Sequence, residues 1–190
     1  LPGWLKAGLE RLEALGESVD PAHLEDEGSK ARWEFLLSAS PGAAATGYAV
    51  SMIDMVNIKR FVRLKRTPLR TGSRGPSWIE GGEIDVPTLS ALLKVPEEEF
   101  HSYIAFTSHR GMAALGLGPS MPLWMVDTVM TRYMLGRTGE SRYRFFDMGP
   151  LLYHMLLRER DEQLLRMILT GCLNRLPGER ILEGVEAMTA

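Results

Sequence analysis

Apolar residues recur at spacings of three and four along the first 65 positions, the periodicity of helices that bury one face. Leu5, Leu9, Leu12 and Leu15 predict an amphipathic helix ending near Gly16. Asp20-Pro21 then marks a helix start, a capping side chain followed by a residue whose φ is already helical. The pattern continues through Trp33 to Phe35, Leu36 and Leu37. A third helix is predicted from Ser40-Pro41 to about Lys65, built on Ala43, Ala49, Met52, Ile53, Val56, Phe61 and Leu64. Polar residues intrude on its apolar stripe. At 3.6 residues per turn, Asn57 falls about 40° and Arg60 about 20° from Ile53.

From Thr67 to Gly82 the pattern lapses into a connection rich in Gly, Pro and Ser. Beyond it the spacing predicts shorter helices over 86–93, 97–106 and 123–135, with turns between them that include Gly116-Leu117-Gly118-Pro119. No strand-like alternation stands out. The fold class is all-α, in two helical groups over residues 1–82 and 83–190. A shift of 107 positions also lays Asp54 on Asp161, Ile58 on Leu165 and Phe61 on Ile168, a faint sign of internal repetition.

The longest helical pattern runs from Asp147 to Pro177-Gly178, with Asp147 as a cap, Pro150 in the first turn and Pro177-Gly178 as the stop. Tyr153, Leu157, Leu164, Ile168 and Gly171 line one side, and Leu151, Met155, Leu165, Leu169 and Leu173 another. A helix apolar over most of its circumference is expected to be buried between neighbours. Its centre nevertheless carries Arg158-Glu159-Arg160-Asp161-Glu162-Gln163, and Arg160 falls on the first apolar stripe. The purpose of that charged belt is the main question the sequence raises.

Composition narrows the answer mostly by exclusion. The chain has 190 residues, enough for a sizeable core, and a formal net charge of −2 that marks it as neither a polyanion binder nor an acidic tail. A single cysteine, Cys172, excludes a disulfide framework and a thiolate metal site and fits a reducing compartment. The charge-free run from Gly111 to Val126 is broken by Gly116, Gly118, Pro119 and Pro122, and a spanning helix needs about 20 apolar residues. Eight of the 11 methionines fall between Met112 and Met167, where flexible thioethers suit core filling.

Reactive constellations are missing from the pattern. His23, His101, His109 and His154 form no H-x-x-x-H pair, which argues against a metal site. There is no G-x-S-x-G elbow, and Gly72-Ser73-Arg74-Gly75 and Glu80-Gly81-Gly82 lack the Lys-Ser/Thr of a phosphate loop. Glu97-Glu98-Glu99 follows Pro96, where acids complement a helix N-terminus. Neither a catalytic residue nor a cofactor is expected. The basic segment is more suggestive: Lys59, Arg60, Arg63, Lys65, Arg66, Arg70 and Arg74 put seven positive charges into residues 59–74 without an acid. It suits a solvated helix end, an acidic protein surface or a nucleic acid.

Two groups of residues together resemble one family. The first is Asp54-x-x-Asn57-Ile58-Lys59, followed by Trp78-Ile79-Glu80-Gly81-Gly82-Glu83-Ile84 and Leu89-x-x-Leu92. The second is Pro150-x-x-x-His154 through Arg158-Glu159, then Leu165-Arg166-x-Ile168-x-x-Gly171 and Leu176-Pro177-x-x-x-Ile181. Together they look like the C subunit of archaeal and bacterial V/A-type rotary ATPases, called subunit d in eukaryotes. The likeness covers Leu1 to about Gly184 and corresponds to the last two thirds of a full member, so a first helical module is expected to be absent.

The resemblance implies repeated three-helix modules forming part of a funnel, with no catalytic role and no small-molecule substrate. Such a subunit sits on the cytoplasmic face of the proteolipid ring and receives the foot of the central stalk, coupling rotation to proton or sodium transport. Its implied partners are the central-stalk subunits and the ring, without a membrane span of its own. The alternatives are a stand-alone helical scaffold, or a nucleic-acid binder using residues 59–74. Within the family reading, Asp54, Asn57, Arg158, Glu159 and Arg160 are expected to form a buried polar network. Lys59, Arg63 and Arg66 are expected to face a partner, and Gly81 and Gly82 to make a turn. If Arg158 is buried in such a network, Arg158→Ala should cost several kcal/mol, about 3–5.

Overall fold

The structure, a computed structural model, describes residues 3, 6, 9, 10, 13, 21–39, 42–67, 77–144 and 147–189. Of the expected first helix, Leu5, Leu12 and Leu15 lie outside these residues, as does 68–76 of the basic connection. The all-α class holds: every regular element among the described residues is helical. In chain order they are α1 (Pro21–Ala39), α2 (Ala43–Arg66), α3 (Val86–Leu92), α4 (Glu97–Ala105), α5 (Arg110–Ala114), α6 (Leu123–Thr138), a 3-10 turn (Ser141–Tyr143), α7 (Gly149–Leu173) and α8 (Gly178–Thr189). Two helical pieces had no clear sequence signal, the single turn α5 and the 3-10 turn. A third, α8, lies beyond the point where Pro177-Gly178 predicts only a stop.

The chain forms two compact units, Leu1–Ala91 and Leu92–Ala190. Residues 83–91 fall with the first of these units. Residues 77–84 are bonded back to α2, and Trp78 Nε1 donates to Ser90 Oγ of α3 at 3.1 Å. The connection and the short helix after it therefore belong to the first unit.

In the first unit α1 and α2 pack as a helical hairpin. Trp33 of α1, Ile53 of α2 and Ile79 of the connection form its buried cluster, with Leu36, Leu37, Met52 and Val56 packed around them. α3 opens at Asp85, whose Oδ2 accepts from the Thr88 backbone N–H at 3.1 Å, the usual N-cap bond.

In the second unit the buried element is α6, not the longer α7. Val126, Thr128, Val129, Met130, Thr131, Tyr133, Met134 and Thr138 of α6 are all buried. α6 packs against α5, α7 and α8, and α7 also packs on α8 and on the 3-10 turn. Several polar side chains inside this unit are bonded, as burial favours, while His101 Nδ1 is buried without a hydrogen-bond partner among the described residues. Thr138 Oγ1 donates to the Met134 carbonyl at 2.7 Å. The Tyr133 hydroxyl accepts from Arg137 Nη1 at 2.7 Å and donates to the Ser108 carbonyl at 3.2 Å. His109 Nδ1 lies 3.0 Å from the same hydroxyl, which gives the buried His109 a structural place. Met112, Met130 and Met134 fill the core as their flexible chains suit.

The Asp85 cap carries a pH consequence. Hydrogen bonds from the Thr88 side chain, and next from its backbone N–H, hold the Asp85 carboxyl below its ordinary value of 3.8. A folded-state value below the unfolded one means the stabilisation is fully present above about pH 4 and is lost as pH falls through the folded value. Asp85→Asn keeps a capping oxygen that does not titrate. Urea unfolding followed by circular dichroism should therefore show a shallower loss of stability below pH 4 in Asp85→Asn than in the parent chain.

Candidate functional site

The distinctive geometry of the first unit is a loop held by side chains. Residues 77–85 have no regular structure of their own, yet Trp78, Ile79 and Ile84 are buried. Their main-chain groups cannot all reach water and must find partners in the protein. α2 supplies them. Asp54, Asn57 and Arg60 are three residues apart, so successive side chains step back about 60° around the helix and sweep across the loop.

Each of the three meets the loop differently. Asn57 is fully buried and pairs with both main-chain groups of Ile79: its Nδ2 donates to the carbonyl at 2.8 Å, and its Oδ1 accepts from the N–H at 3.0 Å. One side-chain amide thus does what a neighbouring β-strand would do. Asp54, also fully buried, turns its carboxylate on two successive N–H groups, Glu83 to Oδ2 at 2.9 Å and Ile84 to Oδ1 at 3.1 Å. Arg60 Nη1 donates to the Ser77 carbonyl. With Ile79 pinned from its backbone, its side chain seats against Trp33 and Ile53.

Two glycines make this approach possible. Gly81 has φ +97°, a backbone that side-chain-bearing residues seldom adopt, and a Cβ there would run into Leu37 Cδ1. A Cβ on Gly82 would overlap Asp54 Oδ1. Gly81 and Gly82 lie in a bend of the chain, and the carboxylate leaves no room for a side chain at the second of them. The bonding is that of a clamp: amide and carboxylate hold main chain.

The charged belt of α7 is built the other way. Arg158 and Glu159 are exposed in the second unit, and Arg160 is half-buried and bonds the adjacent Asp161 at 2.8 Å. Only Gln163 looks inward, its Oε1 accepting from Thr131 Oγ1 of α6 at 2.9 Å. The expected buried network of five thus divides. Asp54 and Asn57 form the clamp of the first unit, while Arg158 and Glu159 belong to a solvated face. Nor does the 107-residue shift align like environments, since Asp54 is fully buried and Asp161 exposed.

The basic segment is largely drawn into α2. Arg63 is exposed, while Lys59 and Arg66 are half-buried. Arg63, Lys65 and Arg66 occupy the last turn, where cations complement the helix dipole. The Lys65 ammonium also lies 5.9 Å from the Phe61 ring. Arg70 and Arg74 fall outside the described residues.

The family model described as ATP synthase (C/AC39) subunit matches residues 6–184. The chain belongs to that family. No curated protein and no solved structure matches it. The matched span of this AC39 subunit takes in both the Asp54–Asn57 clamp and the Arg158–Glu159 belt. Arg60 was legible as a polar intrusion on the α2 stripe and as one charge of the basic segment, but not as a bond to the loop. Its partner is a loop carbonyl, and no side-chain motif announces a carbonyl.

Two measurements check these placements. Asn57→Asp replaces a donor facing the Ile79 carbonyl by an acceptor, and Gly82→Ala forces the carboxylate aside. Each should lower unfolding free energy by about 2–4 kcal/mol in urea titrations and speed proteolysis within 77–84. Arg158→Ala, at an exposed site and at protein concentrations near 1 µM, should cost under about 0.5 kcal/mol. A several-kcal/mol loss there would contradict the solvated face.

Proposed function

We propose that this AC39 subunit is the non-catalytic coupling part of a V/A-type rotary ATPase, a socket between the central shaft and the membrane proteolipid ring. The observation that carries the reading is the family match over residues 6–184. Three features agree with it. No helix among the described residues is long and apolar enough to cross a membrane, which fits a peripheral position on the cytoplasmic face. The Asp54–Asn57 clamp stiffens a connection that would otherwise be compliant. Among the described motif residues, Asp54 and Asn57 hold main chain while Arg158 and Glu159 are exposed.

In this role the partners are the central-stalk subunits and the proteolipid ring, with neither a cofactor nor a nucleic acid. Arg63, exposed at the end of α2, with Lys59 and Arg66 beside it, forms the contact to an acidic partner surface. The funnel of repeated three-helix modules is the architecture through which torque would pass.

Vesicles carrying the ring and stator, stripped of this subunit and reassembled with the catalytic head, test the proposal. ATP hydrolysis by the head should be unchanged by adding the chain, whereas ATP-driven ion uptake should appear only with it. Arg63→Glu should lower uptake several-fold and weaken its binding in a salt-dependent way. A chain that binds neither stalk nor ring, and leaves uptake at zero, overturns the reading.

A further inference from the structure

α7 has two faces that the sequence interleaves. Gly149, Leu152, Leu156, Gln163, Met167 and Gly171 are buried or half-buried, on the side that meets the 3-10 turn, α6 and α8. Nearly opposite, Leu151, Met155, Arg158, Glu162, Leu165, Leu169 and Cys172 are all exposed. Their spacing is 4, 3, 4, 3, 4, 3, the seam of a coiled coil, and they lie within an arc of about 100°. Four large apolar side chains on this seam stand open: Leu151 at 51%, Met155 at 53%, and Leu165 and Leu169 at 61% each. Exposed large apolar side chains grouped in this way, at both ends of the seam, mark an interaction site.

The two charges at the centre of the seam say what fits it. We infer that the exposed seam of α7 pairs with the same seam of a second copy of this chain, antiparallel and centred on residue 160. In that register Leu151 packs on Leu169 of the second copy and Met155 on its Leu165. Arg158 then meets Glu162 of the second copy, and by symmetry each contact occurs twice. Every apolar seam residue faces an apolar one, and each charge faces its opposite. Sliding the pair by one heptad sets Arg158 against Met155 or Leu169 and Glu162 against Leu151 or Leu165, leaving buried charges unpaired. A parallel pair would lay Arg158 on Arg158 and Glu162 on Glu162. The sequence of charges is thus self-complementary in one direction and one register only, as an isologous two-fold contact requires.

The pairing concerns the chain free of other subunits and stands or falls independently of the coupling role. Sedimentation velocity on the full chain, from about 1 to 200 µM, tests it. The parent chain should pass from monomer to dimer. Arg158→Glu, which sets like charges against each other at both central layers, should weaken dimerisation at least about tenfold. Adding Glu162→Arg to it should restore the parent behaviour to within about threefold, since the swapped charges again face their opposites. Leu165→Glu with Leu169→Glu should give a monomer with unchanged helical circular dichroism. Native Cys172 reports direction: in the antiparallel pair the two thiols lie about 36 Å apart along the axis, from 24 residues at 1.5 Å each. Mild oxidation should then leave no Cys172–Cys172 cross-link within the dimer. A chain monomeric at every concentration, a dimer indifferent to Arg158→Glu, a failure of the double swap to restore it, or an efficient Cys172 cross-link would each overturn the proposal.

Discussion

The first unit depends on a rule about buried backbone. A stretch without secondary structure cannot enter a core unless something else takes its hydrogen bonds. Here the substitute is a pair of side chains on one helix. Asn57 bonds both main-chain groups of Ile79, and Asp54 bonds the N–H groups of Glu83 and Ile84. Ile79 can therefore sit fully buried between Trp33 and Ile53 although it belongs to a loop. The burial of such a side chain contributes about 1.5–3 kcal/mol, and it is available only because the backbone beneath it is satisfied. Polar burial comes first, and apolar packing follows from it.

The second unit solves a different problem. Its central helix, α6, carries half of the buried side chains among the described residues of this unit, while α7 divides its length between a packed face and an open one. The small residues Gly149 and Gly171 mark the two ends of the packed face, and the charged belt crosses both. Gln163 bonds inward to Thr131, while Arg158 and Glu162 face outward. A helix apolar on two sides is not automatically a core helix. Its second side can equally be surface meant for another chain, and composition alone does not separate the two.

That ambiguity explains where the sequence was legible and where it was not. Helix spans were close: expected starts at Asp20-Pro21 and near Ser40-Pro41 correspond to α1 from Pro21 and α2 from Ala43, because Pro and apolar period act locally. The predicted stop near Pro177 also holds, with α7 ending at Leu173 and Arg175 taking φ +55°. The motif residues Asp54, Asn57, Gly81 and Gly82 were visible as motif, but not as one clamp. The loop groups that Asp54 and Asn57 bond are backbone atoms 22 to 30 positions away, which leave no mark of residue type. Burial of the belt failed for a physical reason: three- and four-residue spacing tells which side chains share a face, not whether the protein or solvent covers it.

Asp54 and Gly82 illustrate a constraint on change. The carboxylate occupies the space a methyl group at position 82 would need, and the loop N–H groups it serves exist in that place only while the turn keeps its shape. Neither residue can therefore vary alone without penalty, and a larger residue at 82 becomes tolerable only after 54 has shortened and its hydrogen bonds have been replaced. Helix and loop, distant along the chain, behave as a single heritable unit: any neutral route between variants must cross both positions together.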